Sequence, residues 1–299
     1  MNEPNTRLIS GLNVAANPHC HIGENPLWNP IDRKLYWCDV PRARLYRFDP
    51  ETRFTELIRD ADNSLGGAFL GGFTIQQNGS LLLFLANGRI DRWTSTSSEI
   101  LIAPHPTHDG MRFNDVIADP IGRVFCGTLS LDGSHSGNLF RLELDGTLTP
   151  VLSGVLCSNG LAFSRDGLHL YHTDSLRRSI TRFDYDISSG ALSRPIPWIT
   201  TNEQDGMPDG ITVDADDHLW SAQWGAGCVI RFDPSGQEQL RITLPVSHVS
   251  SITFGGEQMR TLFITTATTE HPHQHPLDGA LFMAHSAAQG VPELPSRIA

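Results

Sequence analysis

Four oxygen-bearing side chains recur at matching places along the chain: Glu24 in GENPLW, Asn114 in RFNDV, Asn159 in SNGLAF and Asp209 in PDGITV. Two carboxylates and two carboxamides brought together form an oxygen-rich site suited to a hard or borderline divalent cation. Ca²⁺, Mg²⁺ and Mn²⁺ fit such donors, with Zn²⁺ and Fe²⁺ open beside them. Without a cation, Glu24 and Asp209 would repel each other and one would tend to hold a proton. The competing explanation is local: Asn-Gly and Asp-Gly before a strand often make Asx-turns, with the side chain bonded to its own backbone. Four such residues at one repeat position favour a shared site over four separate turns.

The elements that would position them are read from a repeat. A turn, a short aromatic or β-branched strand, a second turn and a second short strand ending in Asp-Pro or Asp-Gly recur from RKLYWCDVPRARLYRFDP to RTLFITTATTEHPHQHPLDGALFMA. Aligning the first strands on Leu35, Leu82, Val124, Leu170, Leu219 and Leu262 gives steps of about 42 to 49 residues, the period of propeller blades. LYWCD, LFRLEL and VIRFDP alternate apolar and polar residues. No stretch keeps helical apolar periodicity for three turns, so long helices are not expected. The expected fold is therefore all-β: a six-bladed β-propeller with a central channel, one domain over residues 1–299. TRLISGLNVAA, within about the first twenty residues, is placed to supply the outer strand that closes the last blade, hiding edges an open array would expose.

Counting back about ten to twelve residues from each anchor, just before the expected inner strand, gives Glu24, Gly72, Asn114, Asn159, Asp209 and Ser250 or Ser251. This is the rim of the channel, and four of the six positions carry an acid or amide oxygen.

The chain has 299 residues, with 22 Lys and Arg against 33 Asp and Glu, a formal charge of −11. Nucleic acid and anionic membranes require a positive footprint that is missing here, so neither is an expected partner. No apolar run reaches the roughly 20 residues of a bilayer span. The N-terminus has no basic start and no apolar h-region of a secretory signal. The five cysteines, at 20, 38, 126, 157 and 228, are widely spaced and form no C-x-x-C, which suggests reduced thiols in a cytoplasmic protein.

GENPLW, RFNDV, SNGLAFSRDGLHLYHTDS, FDYDISSG and PDGITVDADDHLWSAQWGAGCVIRFDP resemble the senescence marker protein-30/gluconolactonase family across about residues 20–265. The resemblance implies a six-bladed propeller that hydrolyses sugar lactones with one divalent metal ion in its channel. It places metal ligands on Glu24, Asn159 and Asp209, with Asn114 of the R-x-N motif as a further ligand or substrate contact. It also implies substrate contact by Arg112 and the general-base role for Asp209. In an extended segment Arg112 and Asn114 face the same way. A guanidinium repelled by the cation would stand back about one sugar ring from it. The competing role for Arg112 is an ion pair with Asp115 or Asp109 that only holds the loop.

In one departure, several family members carry a substrate-binding Glu after the G-T of the third blade, where this chain has Ser130, Leu131 and Asp132 in GTLSLDGSHSG. Among the remaining residues, Asp115 is expected to point away from Asn114. His19 and His21 read as a polar strand edge, and Asp174 as the start of a turn. Trp28, Trp37 and Trp220 read as inter-blade packing. Trp224 has a second possibility as a sugar platform at the rim. His271, His273 and His275 read as an exposed loop. No G-x-S-x-G, H-E-x-x-H, Walker or G-x-G-x-x-G pattern occurs. The leading expectation is a metal-dependent aldonolactone hydrolase, a monomer or weak homodimer, with a small sugar lactone as its partner. An esterase or phosphotriesterase on the same scaffold and a non-catalytic, metal-stiffened propeller stay open.

Overall fold

The computed structural model describes residues 8–61, 69–105, 108–268 and 275–299. Its strands form six four-stranded antiparallel sheets. Blade 1 holds β2 (Gly23–Asn29), β3 (Lys34–Asp39), β4 (Arg44–Asp49) and β5 (Phe54–Arg59). Blade 2 holds β6 (Leu70–Ile75), β7 (Leu81–Leu85), β8 (Ile90–Trp93) and β9 (Ser98–Ile102). Blade 3 holds β10 (Met111–Ala118), β11 (Val124–Ser130), β12 (Gly137–Leu142) and β13 (Leu148–Val155). Blade 4 holds β14 (Ser158–Phe163), β15 (His169–Asp174), β16 (Ser179–Tyr185) and β17 (Leu192–Thr200). Blade 5 holds β18 (Met207–Val213), β19 (Leu219–Trp224), β20 (Cys228–Phe232) and β21 (Glu238–Thr243). Blade 6 holds β22 (Val249–Gly255), β23 (Thr261–Thr266) and β24 (Leu281–Ser286), and its outer strand is β1 (Ile9–Ala16) from the other end of the chain. β1 pairs antiparallel with β24, so the first strand of the chain closes the ring. No α-helix forms among the described residues.

Burial follows distance from the axis. β2, β6 and β22 are buried along their whole length, whereas the outer strands β5, β9 and β17 are exposed or half-buried over nearly all of theirs. The innermost strands β2, β6, β10, β14, β18 and β22 touch one another in sequence around a complete ring. The core is divided into sectors between blades. Trp28, Trp37, Phe48, Trp220, Phe254 and Phe263 fill the sector joining blades 5, 6 and 1, as expected for the three tryptophans. All five cysteines are unpaired.

The anchors Leu35, Leu82, Val124, Leu170, Leu219 and Leu262 lie on β3, β7, β11, β15, β19 and β23, the second strand of each blade. The repeat and its phase are as expected, but the rim residues lie within the innermost strands and not before them. The outward strands carry the plainer alternation because only they have one wet face. The fully buried inner strands lack it.

The C-terminal segment runs across the end of the channel at which the inner strands finish. Val291 N donates to Val213 O of blade 5, Ser296 N to Ile75 O of blade 2, Arg297 N to Gly122 O and Ala299 N to Leu144 O of blade 3. Gln76 bonds both ways with Ile298, through Nε2 to its carbonyl at 2.9 Å and from its N–H at 3.0 Å. The tail covers that mouth and leaves the opposite one for the site.

Candidate active site

Each innermost strand breaks register with its neighbour at the same place. The irregularities fall between Glu24 and Leu27, Phe113 and Val116, Ser158 and Leu161, and Pro208 and Ile211, with counterparts at Leu70–Gly72 and Val249–Ser251. An extra residue at a bulge bends the strand and re-aims a side chain. Here it delivers Glu24, Asn114, Asn159 and Asp209 to one pocket of about 180 Å³. Asn159 and Asp209 are therefore mid-strand residues, and the Asx-turn explanation does not hold for them. The glycines that follow them answer to close strand approach. A Cβ on Gly160 would collide with Asp209 O, and one on Gly210 with Ser251 Oγ.

Glu24, Asn114, Asn159 and Asp209 are all buried. Glu24 Oε2 accepts from Asn25 N at 3.0 Å. Asp209 Oδ1 is buried with no hydrogen-bond partner. Burial, then the mutual charge of Glu24 and Asp209 and that of Asp115, raises the pKa of Asp209. Burial, then Asp115, does the same for Glu24. Such a pair is costly as two bare carboxylates and favourable around a cation. Among the described residues no three His, Cys, Asp or Glu side chains cluster as a metal-ligand group. The set has two acids, and its remaining donors are amide oxygens. Hard oxygen donors around an orphaned buried carboxylate oxygen fit a divalent cation.

Arg112 is tied to its own strand. Its Nη1 donates to Asn114 Oδ1 at 2.6 Å and to Phe113 O at 3.0 Å, and its guanidinium lies 6.0 Å over the Phe69 ring. It lies against one of the four candidate donors. It makes no ion pair with Asp115 or Asp109. Asn114 Nδ2 donates to Ser158 O at 2.8 Å, so both ends of this amide are held by protein.

Asp115 stays out of the pocket that holds Asn114, and its Oδ1 accepts from Val116 N at 2.9 Å, the backbone role expected of it. Asp115 faces a smaller cavity further along the channel, with Glu293 at its edge. Burial pushes its carboxyl up to about 7, and its charge reaches Glu24 and Asp209. Nothing in one sequence marks the bulge between Phe113 and Val116. Asp132 also departs from the site. Its Oδ1 accepts from Ser130 Oγ, Ser134 N and Ser134 Oγ in an exposed turn, and Leu129 lines the pocket instead. Asp174 ties its own turn, accepting from Leu156 N and Cys157 N and pairing with Arg177. His19 and His21 are exposed. His271 and His273 lie outside the described residues.

The pocket walls are apolar, with Ile22, Leu129, Leu176, Met207 and Trp224 around the mouth. Trp224 thus reaches the rim, packed edge-on against His248 at 4.6 Å. Cys157 also lines the pocket, where burial and Asp209 push its thiol up to about 12, so it is not a nucleophile. Ser158 and His172 bond at 2.8 Å, but both are buried away from the pocket, and burial lowers the imidazole to about 4. Ser175 lines the pocket beside Asn159, and no sequence pattern singles it out.

Residues 22–268 match the SMP-30/Gluconolactonase/LRE-like region. The chain belongs to that family. Within the SMP-30/gluconolactonase family it is 40% identical over 289 residues to the pentonolactonase of Haloferax volcanii, covering 93% of this chain and 96% of that one. It is 31% identical over 280 residues to the 6-deoxy-6-sulfogluconolactonase of Pseudomonas putida, covering 91% and 94%. Its fold matches the calcium-binding protein regucalcin of Agrobacterium tumefaciens with a TM-score of 0.88 over 97% of this chain and 98% of that one, at 20% identity. The resemblance read from GENPLW, RFNDV, SNG and PDG is thereby shown. No helix among the described residues is long and apolar enough to cross a membrane.

Proposed function

We propose that the protein hydrolyses sugar lactones of the aldonolactone class with the help of one divalent cation. The observation that carries this reading is the buried, partnerless Asp209 Oδ1 beside Glu24, at the floor of a pocket that also holds Arg112. Relatives bearing lactonase names, at up to 40% identity, point the same way. Glu24, Asn159 and Asp209 would hold the cation, with Asn114 contributing directly or through water. When bound, the cation polarises the lactone carbonyl and makes a nearby water more acidic.

The chain supplies the rest. Asp209 offers one oxygen to the cation and keeps the other to take the proton of the attacking water, the general-base role. The water oxygen bonds to the carbonyl carbon, the ring C–O bond breaks, and Asp209 returns the proton to the departing alkoxide. The product is an open-chain hydroxy acid. Arg112, a permanent cation with fixed donors, binds the substrate's oxygens at the wall. The apolar mouth excludes water from the carbon framework of the sugar.

A panel of aldonolactones, aryl esters and phosphotriesters assayed with and without chelator tests this reading. Chelator-sensitive proton release from a lactone is expected. Activity confined to esters or phosphotriesters, or a lactonase rate indifferent to thorough chelation, would overturn it.

A further inference from the structure

Asn159 is useful to a cation only if its amide faces the right way, and the structure shows what sets the orientation. Asn159 Nδ2 donates to Ser175 Oγ at 3.1 Å. Ser175 Oγ donates to Pro208 O at 2.7 Å. All three residues are buried, and Asn159 and Ser175 line the pocket. A carbonyl oxygen only accepts, so the Ser175 hydroxyl proton is committed to Pro208. The Ser175 oxygen then has only lone pairs left for Asn159 and must meet its NH₂ end. Reversing the amide would set Oδ1 against those lone pairs and forfeit a buried hydrogen bond.

The same NH₂ end also reaches the Asp209 carboxyl. The amide oxygen is therefore the end left for a ligand, and an amide freed from Ser175 can rotate and lose that presentation. The link also joins neighbouring blades. Ser175 opens the 3₁₀ turn Ser175–Arg177 after β15, and Pro208 immediately precedes Asp209 on β18.

We propose that Ser175 is a positioning residue: through its bond to Pro208 it fixes the Asn159 amide with its oxygen toward the cation. This rests on the reading that the pocket binds a divalent ion.

The test is Mn²⁺ titration of chelator-stripped full-length protein, followed by the spin-resonance signal of the free ion, with thermal melts on the same samples. Ser175→Ala should weaken Mn²⁺ binding about 10- to 100-fold, the usual size for a residue supporting a ligand. Ser175→Thr keeps the hydroxyl and should restore binding. In an Asn159→Asp background, Ser175→Ala should cause no further loss, because a carboxylate shows oxygen at both ends. If Ser175→Ala does not fold, Ser175→Cys, a weak hydrogen-bond donor, takes its place. Unchanged Mn²⁺ affinity in Ser175→Ala overturns the proposal, as does an equal loss in the Asn159→Asp background, which would mark Ser175 as structural support only. A wild-type protein that binds no Mn²⁺, Ca²⁺ or Zn²⁺ overturns the cation reading itself, and this assignment falls with it.

Discussion

Arg112 Nη1 lies 2.6 Å from Asn114 Oδ1, two residues along the same strand, so the substrate-binding candidate and one of the four oxygen donors form a single hydrogen-bonded unit. Asn114 is also held from its other end by Ser158 O, so it stays in place when Arg112 is removed. Arg112→Ala should therefore lower kcat/KM by about 10- to 200-fold, the size of one lost charged hydrogen bond. Metal affinity should change little. Steady-state kinetics beside a metal titration separate the two. A collapse of metal affinity would instead make Arg112 a support for Asn114.

Asp209→Asn separates chemistry from folding. It keeps the shape and one oxygen but removes charge and basicity, so turnover should fall by about 10²–10⁴-fold. The metal-free variant should melt at or above the wild type, because an unpaired buried carboxyl is gone. Added cation should raise the wild-type Tm and move that of the variant much less. Scanning calorimetry with and without cation measures both.

Cation affinity should rise with pH. Glu24 and Asp209 are both held above the usual carboxylate range by burial, with Asp115 adding to the rise at Glu24 and Glu24 and Asp115 adding to it at Asp209, so the metal-free site keeps protons that a cation must displace. Calorimetric titration in two buffers of different ionisation enthalpy should show proton release on binding, larger at pH 6 than at pH 8.

The glycines of SNG and PDG should not tolerate a methyl group. A Cβ at Gly160 meets the backbone oxygen of Asp209, which cannot move without shifting a donor strand, whereas a Cβ at Gly210 meets the Ser251 side chain. Gly160→Ala should cost about 1–3 kcal/mol or more in urea unfolding, and Gly210→Ala should be partly rescued by Ser251→Gly.

Glu293, on the tail that crosses the far mouth, should make the protein less stable as pH rises. Burial, then Asp115, raises its carboxyl from 4.5 to about 7. The folded protein thus keeps a proton that the unfolded chain releases. Its contribution is fully present below about pH 4.5 and is lost as pH rises through about 7. Glu293→Gln should raise Tm at pH 8, by a stability gain of roughly 1–3 kcal/mol, and leave Tm at pH 4 unchanged.

The sequence by itself determined the architecture and singled out four candidate donors. Strands such as LYWCD and VIRFDP share a recognisable aromatic and β-branched pattern, and their period counted six blades. Repetition also let Glu24, Asn114, Asn159 and Asp209 be compared in register, so equivalent positions in chain order became neighbours around an axis. The first strand's pairing with β24 was legible because a strand-like stretch precedes the first blade and can join the two ends of the ring. Only the tertiary structure decided where side chains point within the inner strands. Those strands are buried on every side, so they carry no alternation to read. The bulges that precede or hold Asn114 and Asn159 lie in those strands, and with them Asn114 faces the pocket and Asn159 meets Ser175. The Ser175–Pro208 link was likewise invisible: the residues are 33 positions apart, on different blades, and each looks ordinary alone.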